Sequence, residues 1–452
     1  MSLNIDAAID RTLAQIDQAA VTQLAVDLVS IPSPTGSERA VASFLAEHMA
    51  AGGLEVTLQE VGPNRANAVG ILRGAGDGPR LMFNGHLDTS ITGIEEEDYP
   101  MTGPQGPASR AKGFVRDGHV LGCGAYNMKG GVAAMVSAAL AVKAAGVPLR
   151  GDLVVAAVAG EIEKAPVKGL LRTYSGEAYN GGGVGTRHLL SRGNLTDYAL
   201  VPEPSHMGVL RSRLGLLFIK LTTRGDMVRA CFSDKGRTAM AKMFDVLAAL
   251  EREFGAPRLA RHTRIQEDSV YTPGFSIGAI EAGWPYKPWA SPAVCCAYID
   301  FRMPLGHTVL GAERELRSFL DEQQARQPDL QVEMEVFLSK ASNTTPADSY
   351  VYESCRRHYE SLIGPYERCT HPLASYSDDT CIMREQAMEA VVFGPGGVRY
   401  RGADGGHELG IGGEAVSIAD MIEVARVYAA TAVDTCSRTR DALKLRDQWS
   451  EA

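Results

Sequence analysis

Residues 128–163 read MKGGVAAMVSAALAVKAAGVPLRGDLVVAAVAGEIE, and this stretch decides the fold. Its first half, through Gly146, is rich in alanine and almost wholly apolar, which predicts a helix buried on every side. Its second half is a short apolar run that ends in Glu161 and Glu163. A run of that length and character predicts a strand buried on both faces. Such strands belong to parallel sheets covered by helices on both sides. Upstream, LEVTLQEV, NAVGILRG and PRLMFNGHLD read as further strands, and ERAVASFLAEHMAAGG reads as a helix closed by Gly52 and Gly53. An N-terminal helix is expected to run to about Val29 and to stop at Pro32 and Pro34. Strands and helices that alternate in this way predict an α/β domain with a mixed, mostly parallel central sheet.

The texture changes near Leu210. GLLFIKLTTRG reads as a half-exposed strand, followed by a helix through TAMAKMFDVLAALEREF. FSIGAIEAG, VCCAYIDFRM, the helix AERELRSFLDEQQ and the strand LQVEMEVFL complete a β-α-β-β-α-β order. That order is the split-βαβ pattern of an α+β unit. The chain is therefore expected to hold an α/β domain in residues 1–210 and 339–452. A smaller domain is inserted between them, at 211–338. The last helix is SIADMIEVARVYAATAV.

The whole chain has 452 residues, 45% apolar and 22% charged, which is the balance of a globular protein. Its net charge of −9, with no run of lysine or arginine, argues against nucleic acid or an anionic membrane surface as partner. No run approaches about 18 consecutive apolar residues, so no membrane span is expected. The N-terminus lacks the basic and apolar regions of a signal peptide. The eight cysteines are scattered without a C-x-x-C pair, so a disulfide framework or structural zinc knot is not expected. Reduced cysteines and a cytoplasmic location are therefore expected.

Four motifs carry candidate chemistry. His86 and Asp88 end the strand in PRLMFNGHLD, two apart and so on one face. A carboxylate there can orient a histidine ring toward a metal. Next, GCGAYNMKGG (122–131) turns into the buried helix, either to cradle an anion or to let the helix pack closely. Glu161 and Glu163 leave an apolar strand, where desolvation favours a raised pKa and general-base work. Last, Pro202 and Pro204 hold Glu203 between them at another strand end. Open parallel sheets place their sites at the carboxyl ends of strands, and these motifs fall there. Arg229 and Arg302 are candidate clamps for a substrate carboxylate. Asp378 and Asp379 follow a small-residue loop and are candidates for the pocket wall, and Gly396 in GPGG could present a backbone N–H to substrate. His48, His188 and His206 carry no ligand spacing and read as structural or surface residues.

Taken together, NGHLDT, GAYNMKGG, the acid pair, PEPS, IDFRMPLG, SDD and FGPGG resemble the aminoacylase/carboxypeptidase G/acetylornithine deacetylase/succinyl-diaminopimelate desuccinylase family of metallohydrolases. The resemblance runs from about residue 20 to 430. It implies a zinc-exopeptidase-like catalytic domain with a lid domain that also forms a homodimer. It implies a pair of metal ions, usually zinc, that activate water against an amide bond. His86 falls on a metal-ligand position, Asp88 on its orienting carboxylate, Glu161 on the general base and Glu203 on a second ligand.

The match breaks at four positions. Asn127 stands where the family has the aspartate that bridges both ions, and Ile162 where a glutamate ligand should follow the base. Gly410 stands where counting back from Glu414 should find the last histidine, the nearest being His407. Arg229 stands where a lid histidine reaches the partner subunit's site, with Gly225 and Gly236 aligned. The ion held by His86 and Glu203 keeps its own ligands, with Asn127 as a neutral third, whereas the other ion loses two. One divalent ion per chain (Zn, Mn or Co) is therefore expected rather than two. Rescue of a second site would need Glu163 through a bulge, or His407. The expected activity is hydrolysis of a C–N bond in a small carboxylate-bearing substrate, such as an N-acyl amino acid or short peptide. An aromatic amine or ring amide as target, or a non-catalytic binding protein on this fold, are the alternatives.

Overall fold

The computed structural model describes residues 3–232, 237–399 and 413–445. Its main sheet has six strands, running from edge to edge Glu55–Gly62, Arg65–Leu72, Leu153–Val158, Leu81–His86, Tyr198–Val201 and Glu389–Val392. The last four are mutually parallel, and the first two form an antiparallel edge. The central strands are fully buried. Helix Gly130–Ala144 covers the sheet and packs against the long C-terminal helix Ile418–Cys436. Burying each valine or leucine of this layer contributes about 1.5–3 kcal/mol.

Two departures from the sequence reading bear on the site. The N-terminal helix is broken into Ile5–Leu13 and Gln18–Ser30, the second capped by the Asp17 side chain on the Ala19 N–H. The strand of the quoted stretch ends at Val158, three residues before Glu161, and the chain turns at Gly160, which takes φ +67°. A Cβ there would collide with the Arg65 guanidinium and Val184, so only glycine fits. Glycine Gly131 has a packing role: a Cβ on it would strike the Pro202 carbonyl. The GCGAYNMKGG turn thus serves close approach of helix and strand.

Strands Gly215–Arg224, Gly274–Ala282, Val294–Met303 and Val332–Lys340 form a second, wholly antiparallel sheet in the order 274–282, 294–303, 215–224, 332–340. Helices Ala239–Ala249 and Val309–Arg326 pack on it around a core of its own. Alternation along Gly215–Arg224 puts Leu217, Ile219 and Leu221 under those helices. A third, small sheet joins Gly397–Arg399, Glu414–Ser417, His119–Leu121 and Phe114–Arg116. Two of its strands lie in sequence between His86 and the GCGAYNMKGG turn, and it carries Glu414 and Arg399. No helix among the described residues is long and apolar enough to cross a membrane.

Candidate metal centre

Three strand ends of the main sheet converge. Leu81–His86 delivers His86, the turn after Val158 delivers Glu161, and the Pro202–Pro204 segment after Val201 delivers Glu203. One ligand atom from each of these three side chains lies within 4.8 Å of the other two. His86 Nε2 is 3.3 Å from Glu203 Oε1 and 3.9 Å from Glu161 Oε2. The other ring nitrogen, Nδ1, donates to the main-chain carbonyl of Asp88 at 2.9 Å. That bond sets the tautomer that turns the Nε2 lone pair to the cluster.

The Asp88 carboxylate does different work from that expected. It lies 3.5 Å from Nδ1, but it accepts the N–H groups of Glu161 (3.0 Å) and Ile162 (3.1 Å) and the Thr35 hydroxyl (2.9 Å). It therefore fixes the turn that aims Glu161, while its own carbonyl orients the histidine.

Charge is concentrated here. Burial alone would lower the His86 pKa, but Glu203, Asp88 and Glu161 hold it well above its ordinary value. Burial raises Glu161 well above the carboxylate range, with Glu203 and Asp379 adding to it and Lys340 opposing. Lys340, 1% exposed, ends a strand of the second sheet and donates from Nζ to Glu161 Oε1 at 3.1 Å. Asp379 lies 4.0 Å from the same Nζ and accepts from Thr186 at 2.5 Å. A histidine nitrogen with two carboxylates at strand ends is a donor set that fits a divalent ion.

Several expected site residues are placed otherwise. Glu163 turns from the cluster to pair with Arg302 at 3.0 and 3.2 Å; burial would raise its pKa, but Arg302 and Lys340 hold it down. Arg302 is further engaged by Asp300 at 2.7 Å, so it is an ion-paired support and not an open carboxylate clamp. The Gly396 N–H donates to Asp420 at 2.9 Å and so is already committed. Arg229 stacks on Trp289, 4.7 Å from the ring centroid, and lines a different cavity in the second sheet's unit. A pocket lies over the cluster, lined by Asn127, Glu161, Glu203, Arg399 and Asp378, the last holding Arg213 by a 2.5 Å bond. His206 sits behind the pocket, bonded to the Tyr126 hydroxyl at 2.5 Å and stacked on His371. His407, Gly410 and Gly236 lie outside the described residues.

Asn127, the expected neutral third ligand, stands beside the cluster. One terminal atom of its amide lies 3.0 Å from Glu203 Oε2 and 3.1 Å from His86 Nε2, and the other lies 3.2 Å from Arg399 Nη1. Glu161 supplies the second carboxylate of the cluster. Sequence reasoning missed Lys340, Arg399 and Arg213. Each ends or follows a strand, where a cation ordinarily reads as solvated, and no spacing marks it.

A model of peptidase family M20/M25/M40 matches residues 82–434. The chain belongs to this family. Among curated relatives, it is 29% identical to the N-formyl-4-amino-5-aminomethyl-2-methylpyrimidine deformylase of Bacillus subtilis (strain 168) over 273 residues, 57% of this chain and 55% of the relative. The chain thus spans about half the length of that relative. Its fold is shared with the Saccharomyces cerevisiae di-peptidase Dug1p (TM-score 0.70, 13% identity, 97% of this chain and 100% of that one). It is shared also with the YXEP protein of Bacillus subtilis, a dinuclear metal-binding peptidase of family M20 (TM-score 0.60, 12% identity, 93% and 98% of the two chains).

Proposed function

We propose that this member of the family is a metal-dependent hydrolase of an amide-type C–N bond in a small, carboxylate-bearing substrate. An N-acyl amino acid or a short peptide fits that description. The observation that carries the reading is the convergence of His86, Glu161 and Glu203 within 4.8 Å at the carboxyl ends of three strands. His86 and Glu203 would hold one divalent ion per chain, Zn, Mn or Co. Such an ion supplies a Lewis acid that polarises a carbonyl and makes water more acidic. Glu161 takes the proton from the attacking water on Oε2, the oxygen that faces His86, while Lys340 steadies Oε1. Arg399 lines the pocket and favours an anionic substrate group, while Arg213 is held by Asp378.

The test is a hydrolysis panel of N-formyl, N-acetyl and N-succinyl amino acids, dipeptides and an aromatic amine, run after loading with Mn(II), Zn(II) or Co(II). The formyl compounds enter because of the deformylase relative. Turnover lost in His86→Ala and in the EDTA-treated protein is the expected result. A purified chain that binds no divalent ion would overturn the reading.

Residues 211–338 would then act as lid and as the face of a homodimer. Tyr286 and Trp284, 82% and 54% exposed on that unit, support a covered surface there. A monomer by light scattering across micromolar concentrations would overturn the dimer.

A further inference from the structure

We infer that the guanidinium of Arg399 takes the place of a second metal ion, so that the pocket holds one divalent ion and one fixed organic cation. The inference rests on the hydrolase reading above and deepens it.

Asn127 is the pivot. One terminal atom of its amide lies 3.1 Å from His86 Nε2 and 3.0 Å from Glu203 Oε2, and the other lies 3.2 Å from Arg399 Nη1. One short side chain therefore joins the metal cluster on one side to a positive charge on the other. A carboxylate in the same place would join two dications; a neutral amide instead matches one ion and one singly charged group. The guanidinium is held from several directions. Its Nη2 donates to the Ser90 hydroxyl, and its Nε lies 3.7 Å from Glu414 Oε1. Glu414 in turn accepts the backbone N–H groups of Tyr126 and Asn127, both at 3.2 Å on Oε2. The carboxylate that faces Arg399 thus also anchors the turn that carries Asn127. Among the described residues, the groups able to replace a lost ligand are engaged elsewhere, with Glu163 committed to Arg302 and Ile162 offering an apolar side chain to the pocket.

Two cations a few ångströms apart repel unless carboxylates lie between them, and the amide supplies no negative charge. A second dication on the Arg399 side would face the guanidinium at short range, so the site excludes it. The arginine still lines the pocket, 18% exposed.

Manganese binding to the metal-free full chain tests this, by calorimetry for stoichiometry and by electron paramagnetic resonance for spin coupling between ions. The wild type is expected to take up one Mn(II) per chain and to show no coupled pair. Arg399→Met should bind that ion at least about tenfold more tightly, because a neighbouring positive charge is gone. Arg399→Lys should stay near the wild type. The double variant N127D/R399M should admit a second, spin-coupled ion. Two ions in the wild type, with Arg399 in place, would overturn the inference and leave the hydrolase reading standing. So would an Arg399→Met affinity equal to or weaker than wild type, or a double variant that stays at one ion. A wild type that binds none of Mn(II), Zn(II) and Co(II) would overturn the hydrolase reading itself, and the inference with it. The wild-type stoichiometry needs no variant to fold.

Discussion

Lys340 and Glu161 meet across the junction of the two large sheets, Nζ to Oε1 at 3.1 Å, with both side chains buried. The lysine closes the last strand of the antiparallel sheet, and the glutamate follows a strand of the parallel one. The ion pair ties the proposed base to the unit that would serve as lid. Breaking such a pair from one side leaves a buried charge without compensation, at a cost of about 3–5 kcal/mol. Lys340→Met is expected to lose that much in urea denaturation. The double variant K340M/E161Q should recover part of it, and strictly additive losses would show that the two residues are not coupled.

Glu161 and Glu163 should separate cleanly. Glu161→Gln keeps size and hydrogen bonding but removes the base, so turnover should fall at least about 10²-fold with metal content unchanged. Glu163→Gln touches only the Arg302 pair and should retain most activity. Initial rates with metal analysis of both variants decide it, and the reverse pattern would move the base to Glu163.

A prediction on acid stability comes from Asp434. It is 3% exposed and accepts hydrogen bonds from Ser354, Arg357, Tyr350 and Arg438. Burial would raise its pKa, but His358, Ser354 and Arg438 hold it far below the ordinary 3.8. A depressed folded pKa means that the unfolded chain binds the proton more readily. The stabilisation is therefore present in full above the ordinary value and is lost as pH falls through it toward the folded value. Thermal melts between pH 7 and pH 3 should show Asp434→Asn less stable than the wild type at pH 7, with the gap closing below about pH 4. A gap independent of pH would count against the ion-pair account.

Gly131 should be intolerant of a side chain because of the Pro202 carbonyl next to Glu203. Gly131→Val is expected to cost about 1–3 kcal/mol by overpacking. It should also weaken Mn(II) binding by displacing Glu203. Unchanged manganese affinity, measured by calorimetry, would show that the helix does not position that carboxylate.

Much of this protein was legible in one dimension. The apolar helix and strand of residues 128–163 announced a parallel sheet, because only strands covered on both faces are apolar throughout. The β-α-β-β-α-β order of the second unit followed from its hydrophobic periods. His86, Glu161 and Glu203 were readable because each sits at the carboxyl end of a strand, where adjacent parallel strands bring distant sequence positions together. What only the tertiary structure decided is where the long cations go. Arg302 reads as a substrate clamp until Glu163 and Asp300 are seen on its guanidinium. Lys340 reads as a solvated strand end until it reaches Glu161, 179 residues earlier in the chain. Arg399 is a loop residue until the small sheet sets it beside Asn127. Periodicity reports which face of an element is buried. It is silent about which charges meet, since a flexible side chain of several bonds can satisfy many partners, and only the packed chain selects among them.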